Sequence, residues 1–254
     1  MEMKSRSVIA GLVMLLTVLS AFAITPATPA AAAAEEDVLF IAMQEDFTDF
    51  NYWNLITNTV WKDNVIGFCF ETLAGLDYDM IPYPLLAEDW TFYDTNLTIV
   101  IKLREGVKFH DGTPLTADDV YYSYLMARSG DTTTFGAIAD AFDDDENGET
   151  TKAEIDAGIQ VTGTYTLRMT MAKTYGQFFV STLAGVPIAP KDIWEHHLSN
   201  ETEVLMDVGW NHVDSTIGTG AWYYSEGVEN SYRVLRKFED YWGKDFRTPY
   251  GYPN

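Results

Sequence analysis

The sequence predicts an α/β fold, and three stretches of it carry the prediction. In the first, Leu97, Ile99, Ile101 and Leu103 alternate with Thr98, Val100, Lys102 and Arg104, the period-two pattern of a half-buried strand. The second follows at once. A turn at Glu105-Gly106, a short strand at Val107-Lys108-Phe109 and a tight turn at His110-Asp111-Gly112-Thr113-Pro114 lead to Thr116, which stands three residues ahead of Asp119. That spacing resembles a capping box and opens a helix whose apolar face includes Val120, Tyr124 and Leu125. The third is Val38 to Met43, a continuous apolar run between acidic residues, which reads as a strand buried on both faces, as in a parallel sheet.

The remaining elements follow in chain order. Residues 1–34 stand outside the fold: Lys4 and Arg6 make a charged start, Val8 to Ile24 is an uncharged run, and Ala21-Phe22-Ala23 and Ala30 to Ala34 offer small-residue cleavage sites. The apolar run is short for a membrane span of about 20 residues, so a secretory signal peptide is expected. Cys69, the only cysteine, lies far beyond any cleavage site, which excludes an N-terminal lipoprotein and an intrachain disulfide. It sits in the apolar stretch Val65 to Phe70, where a buried, inert thiol is expected. Gln44 to Asn51 is a polar loop at the carboxyl end of the first strand, where open α/β sheets bind ligands. Ile56 to Phe70 reads as helical, Thr164 to Met171 as an alternating strand, and Pro187 to Leu198 as a strand end with a helix starting near Pro190. Tyr223 to Phe238 reads as a hairpin around Glu226-Gly227 and Glu229-Asn230.

Composition narrows the function classes. The net charge of the 254-residue chain is −22, and since Glu2, Lys4 and Arg6 give residues 1–34 a net +1, the remainder carries −23. Such a field repels nucleic acid and anionic lipid, and no basic cluster opposes it. Aromatic residues reach 14%, with seven Trp and fifteen Tyr, enough to line a stacking surface, although core packing accounts for most of them. Catalysis has little support, and an enzyme is not expected. His196 and His197 are adjacent on a predicted helix and diverge by about 100°. No nucleophile elbow, zinc-protease motif or phosphate loop is present.

Residues 143–154 fit the pattern D-x-[DN]-x-[DN]-G-x5-E at every defined position and resemble an EF-hand-type calcium loop. The side chains of Asp143, Asp145, Asn147 and Glu154 and the carbonyl of Glu149 would bind one structural Ca²⁺, with Thr151 contributing directly or through a water. Six carboxylates in twelve residues would repel one another without a cation. Thr150 departs from the usual apolar eighth position, and no second loop pairs with this one. The competing reading is a solvated acidic loop.

In its literal form the segment from Leu86 to Tyr124, LAEDW…LREGVKFHDGTPLTADDVYYSY, closely resembles the signature of the family 5 solute-binding proteins, extracytoplasmic receptors of ABC transporters of the dipeptide/oligopeptide type. FETLAGLDYD (70–79), PIAPKDIWEHH (187–197) and IGTGAWYYSEGVENSYRVLRKFEDYWGK (217–244) extend the resemblance in the right order over residues 37 to 245. Ala221 and Trp222 replace the family's Pro-Tyr, and Asp49-Phe50-Asn51 replaces its Leu-Asp-Pro. The resemblance implies a type II periplasmic-binding-protein fold, first lobe plus extra subdomain, with the second lobe largely missing. Residues 35–62 and 175–254 would form the main lobe, and 63–174 an inserted subdomain carrying the acidic loop. The chain would then be the N-terminal half of a longer protein. The implied function is capture of peptides or a similar organic nutrient, periplasmic or at the cell surface, by a monomer that delivers it to ABC permease subunits. Ligand contacts would come from Gln44, Glu45, Asp46 and Phe47 in the first loop and from Thr219, Gly220 and Trp222 in the Ile217 to Trp222 loop. Glycines 218 and 220 would let backbone amides approach the ligand. A sensory or scaffolding ectodomain reusing the fold is the alternative.

Overall fold

The structure, a computed structural model, describes residues 38–40, 64–93, 97–128, 141–144, 150–174, 176–195 and 213–244. Their strands are β1 (Val38–Phe40), β2 (Ala74–Leu76), β3 (Pro82–Pro84), β4 (Ala87–Tyr93), β5 (Thr98–Leu103), β6 (Ile159–Gly163), β7 (Thr166–Thr170), β8 (Trp222–Val228) and β9 (Tyr232–Lys237). The helices are α1 (Ala117–Arg128), α2 (Lys152–Gly158) and α3 (Lys191–Trp194), with a π-helix at Phe178–Leu183 and a 3-10 turn at Val213–Thr216.

The alternating run at residues 97–104 becomes β5, an inner strand of a four-stranded antiparallel sheet in the order β4-β5-β7-β6. Ile99 and Ile101 stand opposite Met169 and Leu167 on β7, and all four are buried. Each such side chain contributes about 1.5–3 kcal/mol when fully removed from water. The opposite face carries half-exposed Val100 and exposed Lys102. The sheet's buried face packs under α1, whose Val120, Tyr124 and Leu125 are buried as the helical spacing requires.

Asp119 explains why α1 begins where it does. One of its carboxylate oxygens accepts from the backbone N–H and hydroxyl of Thr116, both at 2.8 Å, which caps the first turn. The other accepts from the backbone N–H of Lys191 at 2.8 Å, the first residue of α3. One side chain therefore ties together two helix starts through a contact that spans 72 residues of chain. Burial raises its pKa, and the three donors act against that rise.

Two smaller sheets complete the described chain. β2 pairs with β3, and β1, β9 and β8 form a three-stranded antiparallel sheet in that order. One buried cluster crosses all these parts, including Leu73, Ile101, Tyr124, Trp194 and Leu235.

Several local expectations change. The first strand shows only an antiparallel neighbour among the described residues, β9, with Leu39 opposite Leu235. Gly75 lies inside β2, where a Cβ would collide with the Tyr83 ring on the opposing strand. Val107-Lys108-Phe109 shrinks to a single bridge between Lys108 and Pro114, closed by the Phe109 N–H to the Thr113 carbonyl and the Leu115 N–H to the Val107 carbonyl. Of the two expected turn positions, Glu226-Gly227 lies within β8, just past a bulge, and the hairpin turns at the other, Glu229-Asn230, where the φ of Asn230 is 58°. The predicted helix at 56–70 is helical at Asn64 to Ile66 and then turns; its earlier residues lie outside the described ones. The π-helix has no counterpart in the sequence reading. Its Thr182 carbonyl accepts from the buried Tyr124 hydroxyl at 2.8 Å.

Candidate ligand-binding site

The loop from Ile217 to Trp222 is wedged between two other parts of the chain. On one side lies the turn at Phe68 and Cys69. The Gly220 N–H donates to the Cys69 carbonyl at 2.9 Å, and Cβ atoms at Gly218 or Gly220 would fall on the Cys69 and Phe68 carbonyl oxygens. The glycines are therefore needed for close approach to the protein's own backbone, which corrects the reason first given for them. Both are buried. The Cys69 thiol beneath is fully buried, and burial pushes its pKa to about 12, so it is inert as expected.

On the other side lies His110. Its backbone N–H donates to the Gly218 carbonyl at 2.9 Å. Its ring completes the clasp: Nδ1 accepts from the Gly218 N–H at 3.2 Å, and Nε2 lies 2.9 Å from the Gly220 carbonyl. A ring nitrogen that accepts an N–H is unprotonated, so Nε2 carries the proton and donates it to Gly220. Phe238 meets the imidazole edge-on, with centroids 5.0 Å apart, and Tyr223 lies at 6.0 Å. Burial lowers the pKa of His110 to about 4, against the pull of the Gly220 carbonyl and of Asp111.

Of the residues expected to meet ligand, Thr219, Gly220 and Trp222 are brought together here. Thr219 is fully buried, and its hydroxyl has no hydrogen-bond partner among the described residues. Trp222 opens β8 opposite Lys237 and packs half-buried against the core cluster. Gln44, Glu45, Asp46 and Phe47 lie outside the described residues, as do His196, His197 and His212.

The chain beyond β9 is fixed by a second polar anchor that the sequence reading missed. Glu71 is 8% exposed, and its two carboxylate oxygens accept from the Tyr241 hydroxyl and the Trp242 indole N–H, each at 2.7 Å. Asp240 pairs with Lys108 at 2.8 Å on the surface nearby. Nothing local in the sequence links Glu71 to residues 170 positions later. An open depression of about 330 Å³ lies beside this anchor, lined by Glu88, Lys102, Arg104, Glu105, Val107 and Trp242. It holds none of the expected ligand residues. Its cations are engaged: Lys102 pairs with Glu88 at 2.6 Å, and Arg104 donates to the Leu85 carbonyl at 2.5 Å while lying 4.8 Å over the Trp242 ring.

The acidic segment is described at its two ends. Asp143 is buried at 3% exposure, while Asp145, Asn147 and Glu149 lie outside the described residues. Thr151 is the N-cap of α2, and Glu154 completes a reciprocal capping box with it. The Glu154 carboxylate accepts from the Thr151 N–H and hydroxyl, both at 2.6 Å, and from the Asp144 N–H at 3.1 Å. These hydrogen bonds, Thr151's first, hold its pKa below the usual carboxylate range. Glu154 thus turns back toward the start of the segment. Among the described residues, no group of three or more His, Cys, Asp or Glu side chains is arranged to hold a metal.

A model of the bacterial extracellular solute-binding proteins, family 5, matches residues 82–250, which take in both the His110 turn and the Gly218 to Gly220 loop. The chain belongs to that family. The oligopeptide-binding protein AppA of Bacillus subtilis is 29% identical over 156 residues, 61% of this chain and 26% of the relative. The solved structure of B. subtilis AppA with a nonapeptide superposes at a TM-score of 0.61 with 20% identity, covering 79% of this chain and 36% of that one. A Thermotoga maritima oligopeptide-binding protein solved with mannohexaose gives a TM-score of 0.60 at 25% identity, covering 80% of this chain and 33% of its own. The fold is therefore that of the type II periplasmic peptide-binding proteins. The chain spans between a quarter and two fifths of the length of these relatives. No helix among the described residues is long and apolar enough to cross a membrane.

Proposed function

We propose that this chain contributes one side of the ligand cleft of an extracytoplasmic receptor that captures peptides, or a similar organic nutrient, and presents them to the permease of an ABC importer. The observation that carries this reading is the family match over residues 82–250, together with a relative and a solved structure whose names specify peptide. The mechanism is capture and hand-over by lobe closure, without chemistry. Thr219, Gly220 and Trp222 line the cleft with the Gln44 to Phe47 loop. The charged start and apolar run of residues 1–34 direct secretion, and the mature protein works as a monomer.

The test is a thermal-shift screen of di- to nonapeptides, with oligosaccharides as the contrast, followed by calorimetry. Trp222→Ala and Asp46→Ala weaken peptide binding by about 1–3 kcal/mol each while the fold persists. The 254-residue chain alone binds more weakly than the same chain joined to a second lobe, because half a cleft leaves one ligand face in water. Equal affinities would place the whole site in this half. Peptides that raise no melting temperature while an oligosaccharide does would replace the substrate class.

The acidic segment adds a structural Ca²⁺ to the proposal, held by Asp143, Asp145, Asn147, Glu149, Thr151 and Glu154. Glu154 suits the role because its cap turns the carboxylate toward the opening of the loop. A dissociation constant of about 10⁻⁴–10⁻³ M is expected for a lone extracellular site.

A further inference from the structure

We infer that His110 is the positioning residue of the ligand loop: as a neutral Nε2–H imidazole it fixes the backbone on both sides of Thr219, and so fixes the direction in which the Thr219 hydroxyl points. The inference rests on the proposed ligand role of that loop. The loop is satisfied asymmetrically. The two glycines that flank Thr219 have their backbone groups engaged, through the Gly218 N–H, the Gly218 carbonyl, the Gly220 N–H and the Gly220 carbonyl. The Thr219 side chain between them is completely buried, yet its hydroxyl has no partner among the described residues. A buried hydroxyl without a partner is unfavourable, and a rigid loop keeps it in place until a partner arrives.

Three of the four backbone contacts belong to one residue, His110, which lies 108 to 110 positions away in the chain. No other neutral side chain offers an acceptor and a donor about 2 Å apart on a flat, stiff ring, which is what a Gly-Thr-Gly backbone presents here. The edge-on Phe238 ring and the adjacent Tyr223 prevent the imidazole from swinging away. The Cys69 carbonyl supplies the fourth contact and anchors the loop from behind. The loop is therefore preorganised before any ligand binds, and preorganisation raises affinity by removing ordering entropy from the binding step.

The experiment uses the chain joined to its second lobe, with trialanine and a soluble nonapeptide as probes. Four variants are compared by calorimetry and melting: His110→Ala, His110→Asn, Thr219→Val and the His110→Ala/Thr219→Val double variant. His110→Ala weakens peptide binding about tenfold. His110→Asn keeps an acceptor for the Gly218 N–H and restores most of the loss, a rescue that a packing role alone would not give. In the Thr219→Val background, His110→Ala has little further effect, because it acts through that hydroxyl. If Thr219→Val weakens binding and His110→Ala does not, or if their losses simply add, the positioning role is overturned and the loop's ligand role stands. If Thr219→Val leaves the affinity unchanged, or neither probe binds the unsubstituted protein, the ligand reading of the loop falls and the inference falls with it. Should His110→Ala fail to fold, the Asn variant and His110→Gln, which keeps only the donor to Gly220, decide the matter: equal affinities for both and the unsubstituted protein overturn it.

Discussion

The clasp at His110 and the cap at Glu154 solve the same local problem in opposite media. Each holds a loop by satisfying backbone N–H groups with one side chain. His110 does so in the interior, through a neutral ring between Gly218 and Gly220. Glu154 does so at the surface, as an ionised carboxylate gathering the Thr151 and Asp144 N–H groups. A buried bond is expensive to lose because the orphaned partner cannot turn to water, whereas an exposed one is replaced by solvent. The clasp should therefore dominate stability and respond to acid, and the cap should respond weakly and to cations.

The largest expected effect comes from forcing the clasp open sterically. Gly218→Ala puts a methyl onto the Cys69 carbonyl oxygen, a backbone atom that cannot swing aside. Chemical denaturation should show a loss of about 1–3 kcal/mol or more. An unchanged midpoint would mean that the loop and the Phe68 turn separate freely.

Acid should come next. An unfolded His titrates near 6.5, and His110 in the fold near 4, so between those values the unfolded chain binds the additional proton. Stability linked to His110 is thus complete above about pH 6.5, falls as pH drops toward 4, and changes no further below that. The span corresponds to about 3 kcal/mol. Carboxylates contribute in acid as well: Asp119, raised by burial, acts in the opposite sense, while Glu154, held low, also loses stability as the pH falls. The measurement is therefore the difference between the unsubstituted chain and His110→Asn from pH 7 to pH 4. Parallel curves would show that His110 titrates normally.

Calcium should have an intermediate effect. At ten times the dissociation constant a single site adds about 1.4 kcal/mol, seen as a higher melting temperature that Asp143→Ala abolishes. No change in melting or protease sensitivity at millimolar Ca²⁺ would leave a solvated acidic loop. The smallest effect is Thr151→Ala, which removes the N-cap of α2 and should lower stability by about 1 kcal/mol. A loss as large as that of Gly218→Ala would show that the cap carries load from the core.

What the sequence revealed follows the range of each interaction. β5 and α1 were legible because alternation and helical spacing are properties of neighbouring residues, and the burial of Ile99, Ile101, Val120 and Tyr124 follows from them. The glycines were legible as glycines but not in their reasons. Gly75 faces a tyrosine on the next strand, and Gly218 faces a carbonyl far back in the chain. His110 could be seen in its turn, but not its partners, since no local pattern encodes a contact across more than a hundred residues. The same distance hid Glu71, whose donors are Tyr241 and Trp242. The candidate ligand loop was located by resemblance, and its geometry emerged only from packing.

The Glu71 anchor also bears on the order in which the molecule assembles. Its carboxylate lies near the beginning of the described chain, and its two donors come 170 and 171 residues later. The strands and helix that need only near neighbours can form first, but Glu71 must wait, hydrated, for Tyr241 and Trp242. Closing so long a loop is entropically unfavourable until the intervening elements have already shortened it. Docking of the segment after β9 is therefore a late folding event, and the carboxylate that becomes buried there is among the last charged groups to leave water.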